Sequence, residues 1–351
     1  MDKKPVIARL SQHHLFRPLA ALAILLLIDL MLIPGFFHIE IKDGHLYGSL
    51  IDIANRAAPL ILAAIGMTLV IATRGIDISV GATVAISGTV ASMLVGGTMV
   101  MNNGVPEYVA NTPMVWALCA AIGAALLCGA WNGFLVAGMG LQPIVATLIL
   151  MVAGRGLAQL MTDGQIVTVY YQPFFFLGSG YLFGIPFSLY IVAAVLLVTS
   201  LLMRRTALGL FIESVGINPV AARLAGIRTA ALIFFVYVFC SACAGVSGLM
   251  ISSNIKSADA NNAGLLLELD AILAVTLGGT SLAGGKFSLA GSVIGALIIQ
   301  TLTYTIYSLG LPPEVNMVVK AAVVFLVCIS QSAEFKNMWR RVFPARAQGN
   351  A

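Results

Sequence analysis

The chain has 351 residues, of which 60% are hydrophobic and only 9% charged. A water-soluble domain of this size carries about 25% charged residues, so a soluble enzyme or binding module is excluded. The formal net charge of +5 is spread between apolar runs and forms no basic patch for nucleic acid; membrane topology accounts for it better.

Roughly 20 consecutive apolar residues span a bilayer as a helix, and repeated runs of that length mean helices rather than a barrel. The expected fold is all-α, a polytopic membrane helical bundle of about ten transmembrane helices. The spans are predicted at 18–34, 55–73, 78–100, 114–137, 143–162, 187–203, 231–251, 269–283, 288–306 and 315–332. Basic residues precede the first run, and Pro34, Gly35 and two phenylalanines follow it instead of a small-residue cleavage site. It therefore reads as an uncleaved span. Glycine and small residues dilute the second and eighth spans.

Basic residues concentrate on the cytoplasmic side of transmembrane helices. With both termini cytoplasmic, the inner side holds Lys3, Lys4, Arg9, Arg17, Arg74, Arg204, Arg205, Arg223, Arg228, Lys286, Lys336, Arg340, Arg341 and Arg346, which is 14 of the 19 basic residues. The outer side holds Lys42, Arg56 and Lys256, together with the acids Glu40, Asp43, Asp52, Glu107, Asp163, Asp259, Glu268 and Glu314. The outer connections are too short for a folded domain, so the whole of 1–351 reads as one transmembrane domain. The five cysteines lie in apolar segments, where free cysteine behaves as a small hydrophobe.

The longest inner segment, about 204–230, reads RRTALGLFIESVGINPVAARLAGIRTA. Its small and apolar residues suit a surface for another subunit. Gly278 to Lys286 invites a phosphate-loop reading, but Thr280 stands where the first glycine is required and Phe287 where Ser or Thr would hold magnesium. It reads instead as a glycine-rich break between spans, as does 73–81. Each break is either a tight hairpin or part of a path or gate, which marks Asp77, Gly278, Gly279 and Ser281 as candidates.

A charge at membrane depth usually faces the bundle interior. Asp77 either caps the third span or lines the path. Arg155, between two glycines, either pairs with an acid or lines the path. Asp29 stands alone in a Leu-rich helix, and Lys320 can snorkel. The outer segment 252–264 is rich in amides and hydroxyls, including Asn261 and Asn262. These offer the paired donors and acceptors that sugar hydroxyls need, or they form an ordinary exposed loop. Phe174, Phe175, Phe176 and Tyr181 suggest an interfacial belt. Gly129–Gly133 and Gly291–Gly295 have small-xxx-small spacing for close helix contact. No catalytic motif and no metal-spaced histidine pair is present.

Three stretches carry a family likeness: Gly75-Ile-Asp-Ile-Ser-Val-Gly81, Val215-Gly-Ile-Asn-Pro-Val-Ala-Ala-Arg-Leu-Ala-Gly-Ile227, and Glu268-Leu-Asp-Ala-Ile-Leu-Ala-Val275 running into Leu277-Gly-Gly-Thr-Ser-Leu-Ala-Gly-Gly-Lys286. The chain resembles, nearly end to end, the permease subunits of bacterial ATP-binding-cassette importers for monosaccharides of the ribose and galactose type. Asn55-Arg-Ala-Ala-Pro59, Thr147 to Gly156 and Asp259-Ala-Asn-Asn-Ala-Gly264 are closest to the galactofuranose branch. The resemblance implies an inner-membrane permease, not an enzyme, that moves a monosaccharide by alternating access. It implies a separate cytoplasmic ATP-binding subunit carrying ATP and magnesium, a periplasmic sugar-binding protein and a second permease chain. No cofactor is expected in this chain. By the same likeness Glu213, Val215, Gly216, Ile217, Asn218, Ala221, Ala222, Leu224 and Gly226 form the loop that docks into the ATPase. The rival reading is an ion-coupled secondary transporter of a small polar solute, which would lean on Asp29.

Overall fold

The computed structural model describes residues 15–42, 44–102 and 105–331. Both termini, with Lys3, Lys4, Arg9, Lys336, Arg340, Arg341 and Arg346, lie outside the described residues, as does Asp43. Two compact units divide the chain, one up to Thr301 and one from Leu302 onward.

In chain order the helices are α1 (Phe16–Leu32), α2 (Ser49–Ala72), α3 (Val80–Val95), α4 (Met114–Gly133, continued by a π turn over Phe134–Gly138), α5 (Pro143–Met161), α6 (Phe176–Ser179), α7 (Phe187–Arg205), α8 (Leu208–Ile217), α9 (Pro219–Leu224), α10 (Thr229–Ile255), α11 (Leu267–Leu277), α12 (Leu289–Ser308) and α13 (Pro313–Gln331). A helix overlaps each expected span. Among the described residues six helices are long and apolar enough to cross a membrane: α2, α4 with its π turn, α5, α7, α10 and α12.

The eighth expected span needs correction. At about 1.5 Å per residue, the 11 residues of α11 cover about 16 Å, half of the roughly 30 Å hydrocarbon core. Residues 259–266, which precede it, are turns rather than helix. Glycine and polar residues keep that stretch from winding, and its unpaired carbonyls are met by side chains described below.

Short ladders tie the connections. β1 (Glu40–Lys42) pairs with β2 (His45–Tyr47), β3 (Thr98–Asn102) with β4 (Val105–Val109), and β6 (Tyr181–Leu182) with β7 (Ile185–Pro186), all antiparallel. β5 (Val167–Thr168) pairs instead with β8 (Ser257–Ala258), joining the segment after α5 to the one after α10.

α10 is the hub of the first unit, packing on α2, α3 and α4. It is apolar nearly all round, as a helix buried on several sides must be. Small residues let the backbones approach. A Cβ on Gly129 would lie 2.7 Å from Val238 Cα, and one on Gly133 2.8 Å from the Phe234 ring. Hydroxyls then bridge the helices: Ser87 Oγ donates to Gly245 O at 2.8 Å and Ser247 Oγ to Pro59 O at 3.0 Å. Gly291 and Gly295 do the same for α12, facing Gly278 and Ala274 of the α11 end.

Cys240 and Cys243 are buried and free, but Cys119 is exposed. Phe174 is fully buried in a core cluster with Val169 and Leu249, so it is no part of an interfacial belt; Phe176 is 42% exposed. In the second unit α12 ends in a Schellman motif. Gly310 takes φ +70°, its amide reaches Tyr307 O, and the Leu311 amide reaches Ile306 O.

Candidate functional site

The 204–230 segment folds as two short helices, and its sequence sets both ends of the second. Asn218 stands before Pro219, and its Oδ1 accepts from the amides of Val220 at 3.0 Å and Ala221 at 3.1 Å. Asparagine is a strong N-cap, and proline at the first helical position loses no needed donor. At the far end Gly226 takes φ +86°. The Ile227 amide reaches Ala222 O and the Gly226 amide reaches Arg223 O, both at 3.0 Å, a Schellman closure. Asn218 and Gly226 therefore shape α9, and both are exposed.

α9 presents a consistent face. Val220 is 67% exposed, Leu224 is 86% exposed, and Ala221 is also exposed, as is Ile217 just before the helix. Val215 and Ala222 are buried, so a surface contact role for those two does not fit; they anchor the segment. Glu213 is half-buried. Val220, absent from the sequence-based set, joins the exposed face; its signal was the i, i+4 spacing to Leu224.

Gly216 is the root of this device. A Cβ there would collide with Ala72 O and with Gly285. The Gly285 amide donates to Ala72 O at 2.9 Å, so it is not free to cradle a phosphate. Arg74, at φ +65°, donates from Nε to Gly216 O and from Nη2 to Ile217 O, both at 2.6 Å. Both glycine-rich breaks, 73–81 and 278–286, thus meet the 204–230 segment at one junction. Gly278 is buried away from it, against Gly291 of α12, while Gly279 and Ser281 are exposed. Arg74 was read in the sequence only as a topology charge; nothing in the spacing reveals its partners.

From this junction the chain climbs through a fully buried polar cluster. Asp77 does not occupy the N-cap position of α3, which Ser79 holds. Instead Asp77 Oδ1 accepts from the Ser79 amide at 2.9 Å and from Ser79 Oγ at 2.6 Å. Asn132 Nδ2, from the end of α4, donates to Ser79 Oγ at 2.8 Å. Thr147 Oγ1, from α5, accepts the Ile78 amide at 3.2 Å. The unwound strip is therefore held by side chains of two neighbouring helices, as unwound backbone at membrane depth requires.

The other unwound strip enters from the opposite end. Arg155 Nη1 donates to Ala260 O at 3.1 Å and Ala263 O at 2.6 Å. Its hydrogen bonds thus go to carbonyls, not to an acid as the pairing reading expected; Glu268 and Asp259 supply negative charge nearby. Gln159 Nε2 donates to Asn261 Oδ1 at 2.8 Å. Asp259 Oδ1 accepts the amides of Asn261 and Asn262, and Asn262 Nδ2 reaches Asp259 Oδ2 at 2.9 Å. Partial burial pushes the Asp259 carboxyl up, but these donors and Arg155 outweigh it and hold it below its ordinary value. Asn261 and Asn262 remain exposed.

Glu268, read in the sequence as an outer acid, is 4% exposed. A Cβ on Gly81 would collide with its carboxylate and with Gly264 O. Gly154, near the middle of α5, packs on Ala82 and Ile86 one turn further along α3. Gly264 and Glu268 therefore meet the first turn of α3, next to the face on which Gly154 of α5 packs. The structure does not bring the expected path residues together: Arg155, Asn261 and Asn262 meet at the strip before α11, Asp77 is buried at the start of α3, and Gly278, Gly279 and Ser281 follow the end of α11.

Half-helices joined by side-chain-braced breaks suit a moving permeation path. Residues 49–328 match the family described as branched-chain amino acid transport system / permease component. The chain belongs to this permease family. Its curated relatives include the galactofuranose transporter permease protein YtfT of Escherichia coli (strain K12), 51% identical over 325 residues, which is 92% of this chain and 91% of the relative. The fructose import permease protein FruF of Bifidobacterium longum (strain NCC 2705) is 38% identical over 85% of this chain and 81% of its own length. The ribose import permease protein RbsC of Escherichia coli (strain K12) is 36% identical over 89% and 92% respectively. As a member of this family, with several apolar helices long enough to cross a bilayer, this permease is a multi-pass inner-membrane protein.

Proposed function

We propose that this chain is the transmembrane permease subunit of an ATP-binding-cassette importer that moves a monosaccharide across the inner membrane. Galactofuranose or a similar sugar is the substrate best supported, because the galactofuranose relative is 51% identical and the fructose and ribose relatives 38% and 36%. The whole chain serves as one transmembrane domain, without enzymatic activity and without a cofactor of its own. ATP and magnesium belong to a separate cytoplasmic ATPase, a periplasmic protein delivers the sugar, and a second permease chain, identical or not, completes the path. The relatives are named as a transporter permease and as import permeases for sugars, which supports this reading over ion coupling.

One observation carries the mechanism. The capped helix α9 exposes Val220 and Leu224, while its root at Gly216–Ile217 is bonded by Arg74 to the strip that leads to Asp77 and α3. A push on α9 is thereby transmitted to a packed interior with discrete arrangements, which is what a ligand-driven two-state transition needs. Leu224→Asp in the complex reconstituted with ATPase and binding protein tests it. Sugar-stimulated ATP hydrolysis and uptake are both expected to fall at least tenfold. Unchanged uptake would refute the assignment of α9 to coupling. Leu224 is the better probe than Gly216, whose substitution also breaks the inner junction.

A further inference from the structure

We propose that the groove between α8 and the start of α10 binds an anionic phospholipid, its phosphate held at Arg223 and Arg228 and an acyl chain lying along Leu208, Phe211 and Phe235. Two cavities meet there. One, of about 480 Å³, is lined by Leu208, Phe211, Leu232 and Phe235, with Arg228 among its walls. The other, of about 470 Å³, is lined by Arg223, Arg228 and Thr229, and shares Gly226 and Ile227 with the first. A cationic pocket adjoining an apolar furrow is the shape of a phospholipid, headgroup and tail, rather than of a free ion.

Charge selects the class of lipid. Arg204 and Arg205 stand just before Leu208, so four arginines crowd this stretch against one acid, Glu213. Among the described residues none of the four is ion-paired. The cations of the opposite face differ: Lys42 pairs with Glu40, Arg56 with Asp52, and Lys256 lies 5.0 Å over the Phe175 ring. A guanidinium offers a planar fork to phosphate oxygens, and basic residues beside a membrane surface draw anionic headgroups, about fivefold in affinity for each. Arg223, Arg228 and Phe235 are exposed on the folded chain, so the site needs no rearrangement to fill.

This inference rests on reading the 204–230 segment as the inner face of a membrane permease, but its test needs neither ATPase nor sugar, so its failure is separable from failure of the transport reading. The full-length permease, delipidated in neutral detergent, is titrated with phosphatidylglycerol and with phosphatidylcholine of the same chains, and bound lipid is counted by native mass spectrometry. Phosphatidylglycerol is expected to bind at least tenfold more tightly. The double variant R223Q/R228Q is expected to lose most of that preference, F235S to weaken both lipids, and K42Q on the opposite face to change nothing. Glycerol phosphate without acyl chains is expected not to compete. Equal retention of the two lipids by the wild-type chain would overturn the proposal, and that comparison stands even if a variant fails to fold. An undiminished preference in a folded R223Q/R228Q chain would overturn the location, and full competition by glycerol phosphate would show a free-anion site instead.

Discussion

Asn218 and Gly226 are the two residues on which α9 depends, because a helix of six residues cannot nucleate from propensity alone. Asn218→Ala removes a cap worth about 1 kcal/mol, and Gly226→Ala forces a side chain into φ +86° at a cost of about 1–2 kcal/mol. Each is expected to raise amide hydrogen exchange over 219–227 about fivefold or more while leaving α10 protected; unchanged exchange would mean that the membrane, not the caps, holds α9. At the other end of the molecule Asp259 offers a pH signature. Its folded pKa lies below the ordinary value, so its contribution to stability is present above the unfolded pKa of about 3.9 and is lost as pH falls through the lower folded value. Thermal melts of wild type against Asp259→Asn should therefore show a wild-type advantage at pH 5 to 7 that shrinks below pH 4. Arg155→Lys keeps the charge but not the two-carbonyl fork, and sugar uptake by the reconstituted complex is expected to drop about tenfold without loss of ATPase binding.

At the scale of elements, the informative units are those that fail to be full spans. α11 covers about half the bilayer, and the strip before it is fastened by Arg155 to α5 and by the Gly81 contact to α3. The 73–79 strip is fastened to α4 and α5 through Asn132 and Thr147. Each break is thus held by side chains that a small helix shift would misalign, so such a shift would switch the hydrogen bonds rather than stretch them. The basic-residue asymmetry of the sequence puts Asn262 on one face of the membrane and Ser281 on the other. In a cysteine-free background, Asn262→Cys should react with a membrane-impermeant maleimide added outside intact spheroplasts, and Ser281→Cys only after lysis. Reaction of both from outside would break the topology on which the half-helix reading rests.

For the whole molecule, the helical class, the positions of most of the helices and the two ends of α9 were legible because each rests on local composition: apolar length, an Asn-Pro start and a glycine stop. What stayed hidden was relational. Nothing in the spacing of Arg74 announces Gly216, 142 residues away, and Glu268 looked like an outer acid because its burial is created by α3. Val215 and Ala222 looked like contact residues because apolar residues in a polar-side loop serve a partner or the core equally well, and only the fold decides. The same relational logic governs assembly. The 217–224 stretch exposes Ile217, Val220 and Leu224, apolar groups that would gain about 1.5–3 kcal/mol each on full burial against a partner. Affinity-tagged chain extracted in mild detergent from its own membranes should therefore retain an ATP-binding subunit, and the wild type should retain it several-fold better than Val220→Asp. Peptide identification in the same eluate separates the two dimer types, since a second permease sequence in comparable amount marks a heterodimer and its absence a homodimer. An eluate in which no ATPase accompanies a folded, sugar-transporting chain would remove the reason for α9 to be exposed and would return the weight of the mechanism to the buried carboxylates.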